Sequence, residues 1–373
     1  MGIDLGDKYS QVCVLGDAAE VLEESRVRTT VDALRRKFEA MEPCLVAFEA
    51  GTHSPWVSRL LEGLGHESLV ANPAALHRNG QRKNDKVDAK KLARWARADP
   101  EMLNPISHRG EDMQADMGLL YARRALVEAR TKLINTTRGL VKAYGARLPA
   151  CDARSFPNQV KDAVPEALRP ALEPLLRSIE QLSEEIYALD RRVEALAEEK
   201  YGFQTGAMRQ ITGVGALTSL TFVLVIRDPY RFSRSRRVGP YLGLTRREDK
   251  SGESDPEMGI SKAGNQYLRQ LLVGCAHYIM GPFGADCDLR RWGLHKAQGG
   301  KNAKKRAVVA VARKLAVLMH RLWLTGEVYE PLQEAALAAS GVDKTATHGS
   351  LPARTGSLTG RRAMQPDAVL STR

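Results

Sequence analysis

The chain has 373 residues, with 56 Lys and Arg against 44 Asp and Glu, for a formal net charge of +12. That length holds two or three domains with real cores, and the charge calls for a polyanionic partner, most simply nucleic acid. The five cysteines form no CxxC pair, no apolar run can cross a bilayer, and no signal-peptide layout opens the chain; a zinc ribbon, a disulfide framework and a membrane span are excluded, and a cytoplasmic protein is expected.

Residues 1–108 read as an α/β domain. Met1 to Gly16 is patterned as strand, turn and strand, with Val at alternate positions between Gln11 and Leu15. A third strand is expected across 20–29, a helix over about 31–41, and a buried strand at Cys44 to Phe48. A helix over about 55–64 and a strand ending near Asn72 follow, so strands alternate with helices around a mixed sheet. Asp4 falls at the centre of the first strand and Glu49 at the end of the fourth. A carboxylate on a buried strand is costly unless it is paired or bound to metal. Asp85 and Asp88, three apart at a helix start, share one helix face, with Lys83 among the cations beside them. Alone, that pair reads equally as a solvated acidic helix start. Four carboxylates gathered at one sheet edge suit two magnesium ions clamping a phosphodiester.

Three stretches carry a resemblance. Gly2-Ile-Asp-Leu-Gly6, Phe48-Glu-Ala-Gly51 and Asn84-Asp-Lys-Val-Asp-Ala-Lys-Lys-Leu-Ala93 resemble the DEDD domain of bacterial insertion-sequence transposases of the IS-one-ten group, which also contains the Piv-type DNA invertases. The resemblance implies a RuvC-like, RNase H-type fold with its acidic tetrad at Asp4, Glu49, Asp85 and Asp88. This chain departs from the group in having almost nothing before Gly2.

Residues 109–200 read as helical. Met113, Met117, Leu120, Val127, Ile134, Val141 and Tyr144 predict one long helix from Glu111 to Tyr144. Its other faces carry Arg124 and Arg138 among several cations, either a solvated face or a track for a phosphate backbone. Residues 148–170, broken by four prolines, read as a connector. Leu172, Leu176, Ile179, Leu182, Ile186, Leu189, Val193 and Leu196 then form a heptad seam that needs a partner helix. The partner is either the preceding helix folded back or another subunit. In the resembled group this region is a coiled coil used in assembly, which implies dimers that pair into a tetramer.

Residues 201–334 read as a mostly helical domain. Arg209 to Thr221 resembles the turn of a helix-hairpin-helix motif, in which Gly213 and Gly215 would let backbone approach a phosphate; a simple helix–helix turn is the alternative. Arg227, Arg231, Arg234, Arg236 and Arg237, with Arg246 beyond, form a phosphate-binding candidate around Phe232, and Arg247 is a further nucleic-acid contact candidate. Ser251 stands in a basic-flanked Ser-Gly loop that has no histidine to activate it, so by itself it reads as a turn serine. Gly243-Leu-Thr, the arginines, Ser251-Gly and Gly259-Ile-Ser-Lys-Ala-Gly-Asn resemble the second block of the same group, which carries a nucleophilic serine. The matching position is Ser251, and Lys262, Asn265 and Arg269 become implied DNA contacts; Arg246 stands where the group often has proline. Lys304 and Lys305 lead into an apolar helix over 307–323, a backbone-contact candidate. Residues 335–373 read as a disordered tail.

The resemblance implies a DNA recombinase in which a Mg2+-binding DEDD site helps Ser251 attack a DNA phosphodiester, leaving a covalent phosphoserine before strand exchange and religation. It also implies a structured guide (bridge) RNA, encoded by the element, that pairs with donor and target DNA. Two readings stand beside it. One is a Holliday-junction-resolvase-like nuclease using the tetrad and water; the other is a non-enzymatic nucleic-acid-binding assembly protein whose acids merely cap helices.

Overall fold

The computed structural model describes residues 1–73, 85–247, 258–299 and 302–332, and the chain divides into two compact units. The expected disordered tail lies outside the described residues.

The first unit comprises residues 1–205 and 215–231. Its strands β1 (Gly2–Asp4), β2 (Tyr9–Leu15), β3 (Val21–Arg28), β4 (Leu45–Glu49) and β5 (Glu67–Ala71) form one mixed sheet in the order β3-β2-β1-β4-β5. β1 is antiparallel to β2 and parallel to β4, and β4 is parallel to β5. Alternation sorts the side chains. Ile3, Val12, Val46, Phe48 and Val70 share a core with Leu34 and Phe38 of α1 (Val31–Glu39) and Val57 and Leu61 of α2 (Ser54–Gly63). Residues one position away take the other face, where Ala47, Leu69 and Ala71 meet Leu92 and Ala96 of α3 (Asp85–Ala98), and Cys13 meets Ala89 and Ala93.

Asp4 is the last residue of β1, not its centre. It pairs with Gln11, and only Leu5 to Ser10 remain to reverse the chain. Just beyond it the Gly6 carbonyl accepts from Thr29 Oγ1 at 2.8 Å, a side chain standing where a ladder partner would be.

The expected long helix is α4 (Glu111–Ala143), and the seam lies on α5 (Arg169–Glu199). The two pack antiparallel. Lys200 Nζ and Tyr201 OH both donate to Asp116 Oδ2, at 2.8 and 2.7 Å, Arg123 pairs with Asp190, and Arg130 donates to Ser183 Oγ at 3.1 Å. Val141 and Leu172 share a cluster at the far end. The preceding helix is thus a partner of the seam. The buried stripe is Leu172, Ile179, Ser183, Ile186, Val193 and Ala197, whereas Leu182, Leu189 and Leu196 are half-buried beside it. Large aliphatic residues fill most of this stripe, with the small Ser183 and Ala197 set among them. Between these helices α7 (Ala216–Ile226), preceded by α6 (Gly202–Arg209), is apolar on nearly every side and buried.

The second unit comprises residues 206–214 and 232 onward. Here α8 (Gln266–Met280) and α9 (Asp288–Ala297) pack on α10 (Ala303–Thr325), whose Val308, Val311, Leu315 and Met319 are buried along one stripe. No described helix is long and apolar enough to cross a membrane.

Candidate active site and nucleic-acid interface

The sheet sets the positions of two acids. Gly2 pairs with Ala47 and Ile3 with Phe48, so Asp4 and Glu49 are the next residues at the carboxyl ends of two adjacent parallel strands. Both have the parity of Gly2 and Ala47, which face α3. Asp85 opens α3, and Asp88, half-buried, precedes the Ala89 that lies over Gly2. Asp4 and Glu49 thus end two neighbouring strands on the sheet face that α3 covers, and α3 opens with the other two predicted acids in its first turn. The Asp85 side chain and Lys83 lie outside the described residues. Among the described residues, no three His, Cys, Asp or Glu side chains converge to hold a metal ion. The donor set itself is all oxygen, which fits a hard divalent cation.

Cations brace this helix from its middle to its far end. Arg97 donates to the Gly16 carbonyl at 3.2 Å and to that of Asp17, and Lys90 reaches Glu24 at 3.5 Å.

In the second unit a short antiparallel stem brackets the predicted nucleophile. Arg246 bridges Ile260, Arg247 N–H donates to Gly259 O at 2.9 Å, Ser261 N–H to Thr245 O at 2.8 Å, and Lys262 N–H to Gly243 O at 3.2 Å. Residues 248–257, with Ser251, lie outside the described residues, but the stem joins their two ends. Gly243 and Gly264 hold it at φ of 65° and 67°, where a Cβ on Gly243 would meet the Ala263 backbone at 2.3 Å. Arg269 reaches back from α8 and donates to the carbonyls of Leu242 and Gly264 at 3.2 Å and of Ala263. Asn265 Oδ1 accepts from Leu268 N–H at 2.9 Å and caps α8. The predicted DNA contacts at Asn265 and Arg269 are therefore engaged in shaping the loop, while Lys262 is exposed with φ of 57°.

The remaining basic candidates divide. Arg234, Arg236, Arg237, Arg246, Arg247, Lys304 and Lys305 are all exposed in the second unit. In the first unit Arg124 pairs with Glu128 at 2.7 Å. Arg138 donates to Leu148 O at 3.3 Å and Pro149 O at 3.0 Å and stacks on Phe156, tying the connector to α4. Gly213 adopts φ of 95° with the Tyr278 ring against it, so a Cβ there would lie 2.7 Å from Tyr278 Cδ1. Gly215 is exposed just before α7.

Sequence reasoning missed His320. Fully buried in α10, it places Nδ1 3.0 Å from Ser235 Oγ and meets Phe232 edge-on, anchoring the base of the arginine-rich segment. A lone histidine on the apolar face of an amphipathic helix was the available signal.

Comparison with known proteins follows these two centres. Residues 1–145 match the DEDD transposase family of the IS110 type, described as "Transposase", and residues 206–284 match the family described as "Transposase IS116/IS110/IS902 family". The chain is 30% identical over 290 residues to a transposase for insertion sequence element IS1328 of Yersinia enterocolitica, covering 75% of this chain and 83% of that one. It is 29% identical over 340 residues to the transposase for IS1111A of Coxiella burnetii, covering 88% and 90%. It is 25% identical to the pilin gene-inverting protein of Moraxella lacunata, covering 68% and 72%. With one match on the sheet that carries Asp4 and Glu49 and the other on the stem around residue 251, the chain belongs to the IS116/IS110/IS902 family of insertion-sequence transposases, enzymes that act on DNA.

Proposed function

We propose that this transposase is an RNA-guided DNA recombinase in which Asp4, Glu49, Asp85 and Asp88 bind Mg2+ and assist Ser251 as the nucleophile. The observation that carries the reading is the register of β1 on β4, which sets Asp4 beside Glu49 under the helix opened by Asp85 and Asp88. Two magnesium ions, when bound, neutralise charge that builds on the phosphate in an in-line displacement. Ser251 Oγ bonds to phosphorus as it loses its proton, and a deoxyribose oxygen leaves and takes a proton up. The phosphoserine ester preserves the linkage until the hydroxyl of another strand attacks it and frees the serine, so strands are exchanged without net hydrolysis.

The exposed arginines and lysines of the second unit hold nucleic-acid backbone, and base pairing by an element-encoded guide RNA to donor and target DNA supplies sequence choice. The half-buried Leu175, Leu182, Leu189 and Leu196 recur every seven residues along α5. This stripe supports a coiled-coil contact between copies, in dimers that pair into a tetramer.

Covalent trapping tests the mechanism. Protein, guide RNA, Mg2+ and a nicked donor DNA are expected to give a denaturant-resistant protein–DNA adduct, lost in Ser251→Ala and in Asp88→Asn. Cutting without an adduct, unchanged in Ser251→Ala, would overturn the serine mechanism and leave a nuclease that uses the acids and water.

A further inference from the structure

Within the second unit, α9, α10 and the Arg236 turn line an open pocket of about 490 Å³, walled on one side by residues 329–331. That is the size of a small-ligand pocket. Its wall is fixed rather than loosely draped. Asp288 N–H donates to Pro331 O at 2.8 Å, Tyr329 N–H donates to Gln210 Oε1 at 2.8 Å, and Arg321 pairs with Glu327 at 2.7 Å.

Three kinds of group meet in it. The floor is apolar, with buried Leu289 and the half-buried indole of Trp292. The rim carries the exposed guanidinium groups of Arg236 and Arg313. Asp288 and Glu330 add carboxylates. Lys314 Nζ lies 4.0 Å and Lys296 Nζ 5.7 Å from the Trp292 ring centroid, so the indole is covered by flexible cations that a flat ring can displace. A planar heterocycle, an amino group and a phosphate would each find a partner here: indole for the ring, carboxylate for the amine, guanidinium for the phosphate.

We propose that this cavity receives one unpaired nucleotide whose base carries an exocyclic amine, turned out of a DNA or RNA strand. The base lies on Trp292, its amine donates to Asp288 or Glu330, and the adjoining phosphate bonds Arg236 and Arg313. Adenine, cytosine and guanine fit this set, whereas thymine and uracil lack the amine and leave the carboxylates opposed by carbonyl oxygens. The inference goes beyond the strand-transfer reading and does not require Ser251 chemistry.

The test is equilibrium binding of the full chain to ten-residue single strands with one central 2-aminopurine, which carries such an amine, made in deoxyribose and in ribose form. Stacking is expected to quench the probe. Trp292→Leu should relieve the quenching and weaken binding about tenfold. Arg236→Gln should weaken binding with the quenching per bound strand retained, and as an exposed residue it carries the test if Trp292→Leu fails to fold. A thymine at the probe position should compete less well than cytosine. The better-bound sugar identifies the strand. Unchanged quenching and affinity in Trp292→Leu, or equal competition by a strand abasic at the probe position, would overturn the pocket. The Ser251 adduct is read in a separate assay, so either idea can fail alone.

Discussion

Gly2 lies directly beneath Ala89. A methyl group on the Gly2 Cα would come within 2.1 Å of the Ala89 carbonyl oxygen and 2.5 Å of the Ala93 nitrogen, both backbone atoms that no rotamer change can move. The seating of α3 on the sheet, and with it the position of Asp88, thus depends on this glycine. Gly2→Ala is expected to cost about 1–3 kcal/mol through overpacking and to depress strand transfer further than the stability loss explains. Thermal unfolding and transfer assays on the same preparation check this, and an unchanged melting temperature would mean that α3 lifts freely.

Asp88→Asn keeps the shape of the side chain and removes its charge. Binding of donor DNA should survive while strand cleavage falls about 100-fold or more, the scale of losing one group that stabilises a transition state. Loss of cleavage with binding kept excludes a protein whose acids only cap helices; equal cleavage would remove Asp88 from the site.

Arg269 satisfies three carbonyls that flank the stem around residues 248–257. Lysine keeps the charge but lacks the planar fork needed to reach several acceptors at once. Arg269→Lys should therefore lower strand-transfer rate strongly while donor-DNA affinity changes little. If affinity falls in step with rate, the residue acts on nucleic acid rather than on the loop.

His108 gives a pH dependence with a definite sign. Burial first, and then the charges of Arg227, Arg59 and Arg109, push its pKa below the usual 6.5. Its Nε2 is buried with no hydrogen-bond partner among the described residues. The unfolded chain therefore takes up this proton before the folded one does. The stability held above pH 6.5 is lost as pH falls from there through the lowered folded value. Urea unfolding of the first unit should show this loss between neutral and mildly acidic pH, and His108→Gln should blunt it.

The sheet was legible because alternation and short apolar runs mark strands well, and Asp85 and Asp88 were placed by helix periodicity. The exact end of β1 was not legible, since beyond Asp4 the Gly6 carbonyl bonds the distant Thr29 hydroxyl. The stripe on α5 shows another limit. Leu182 and Ser183 are adjacent, and apolarity favoured the leucine. Packing chose the serine, because a small side chain lets α4 come close and its hydroxyl accepts from Arg130. Arginines are hardest to read. Arg138, Arg269 and Arg236 look alike in sequence, yet the first two donate to backbone carbonyls and the third faces solvent. Ser251 rests on resemblance alone, because the sequence of its loop holds no histidine that would activate it.

The antiparallel register of α4 and α5 sets a rule for changing their length. Arg123 meets Asp190 and, seven residues on, Arg130 meets Ser183, so the pairing repeats with the heptad. Seven residues of helix span about 10 Å. Inserting or deleting one heptad in each helix preserves every facing pair, whereas a change of one or two residues rotates the seam out of contact. The helical hairpin is in effect a spacer whose reach changes most simply in steps of about 10 Å.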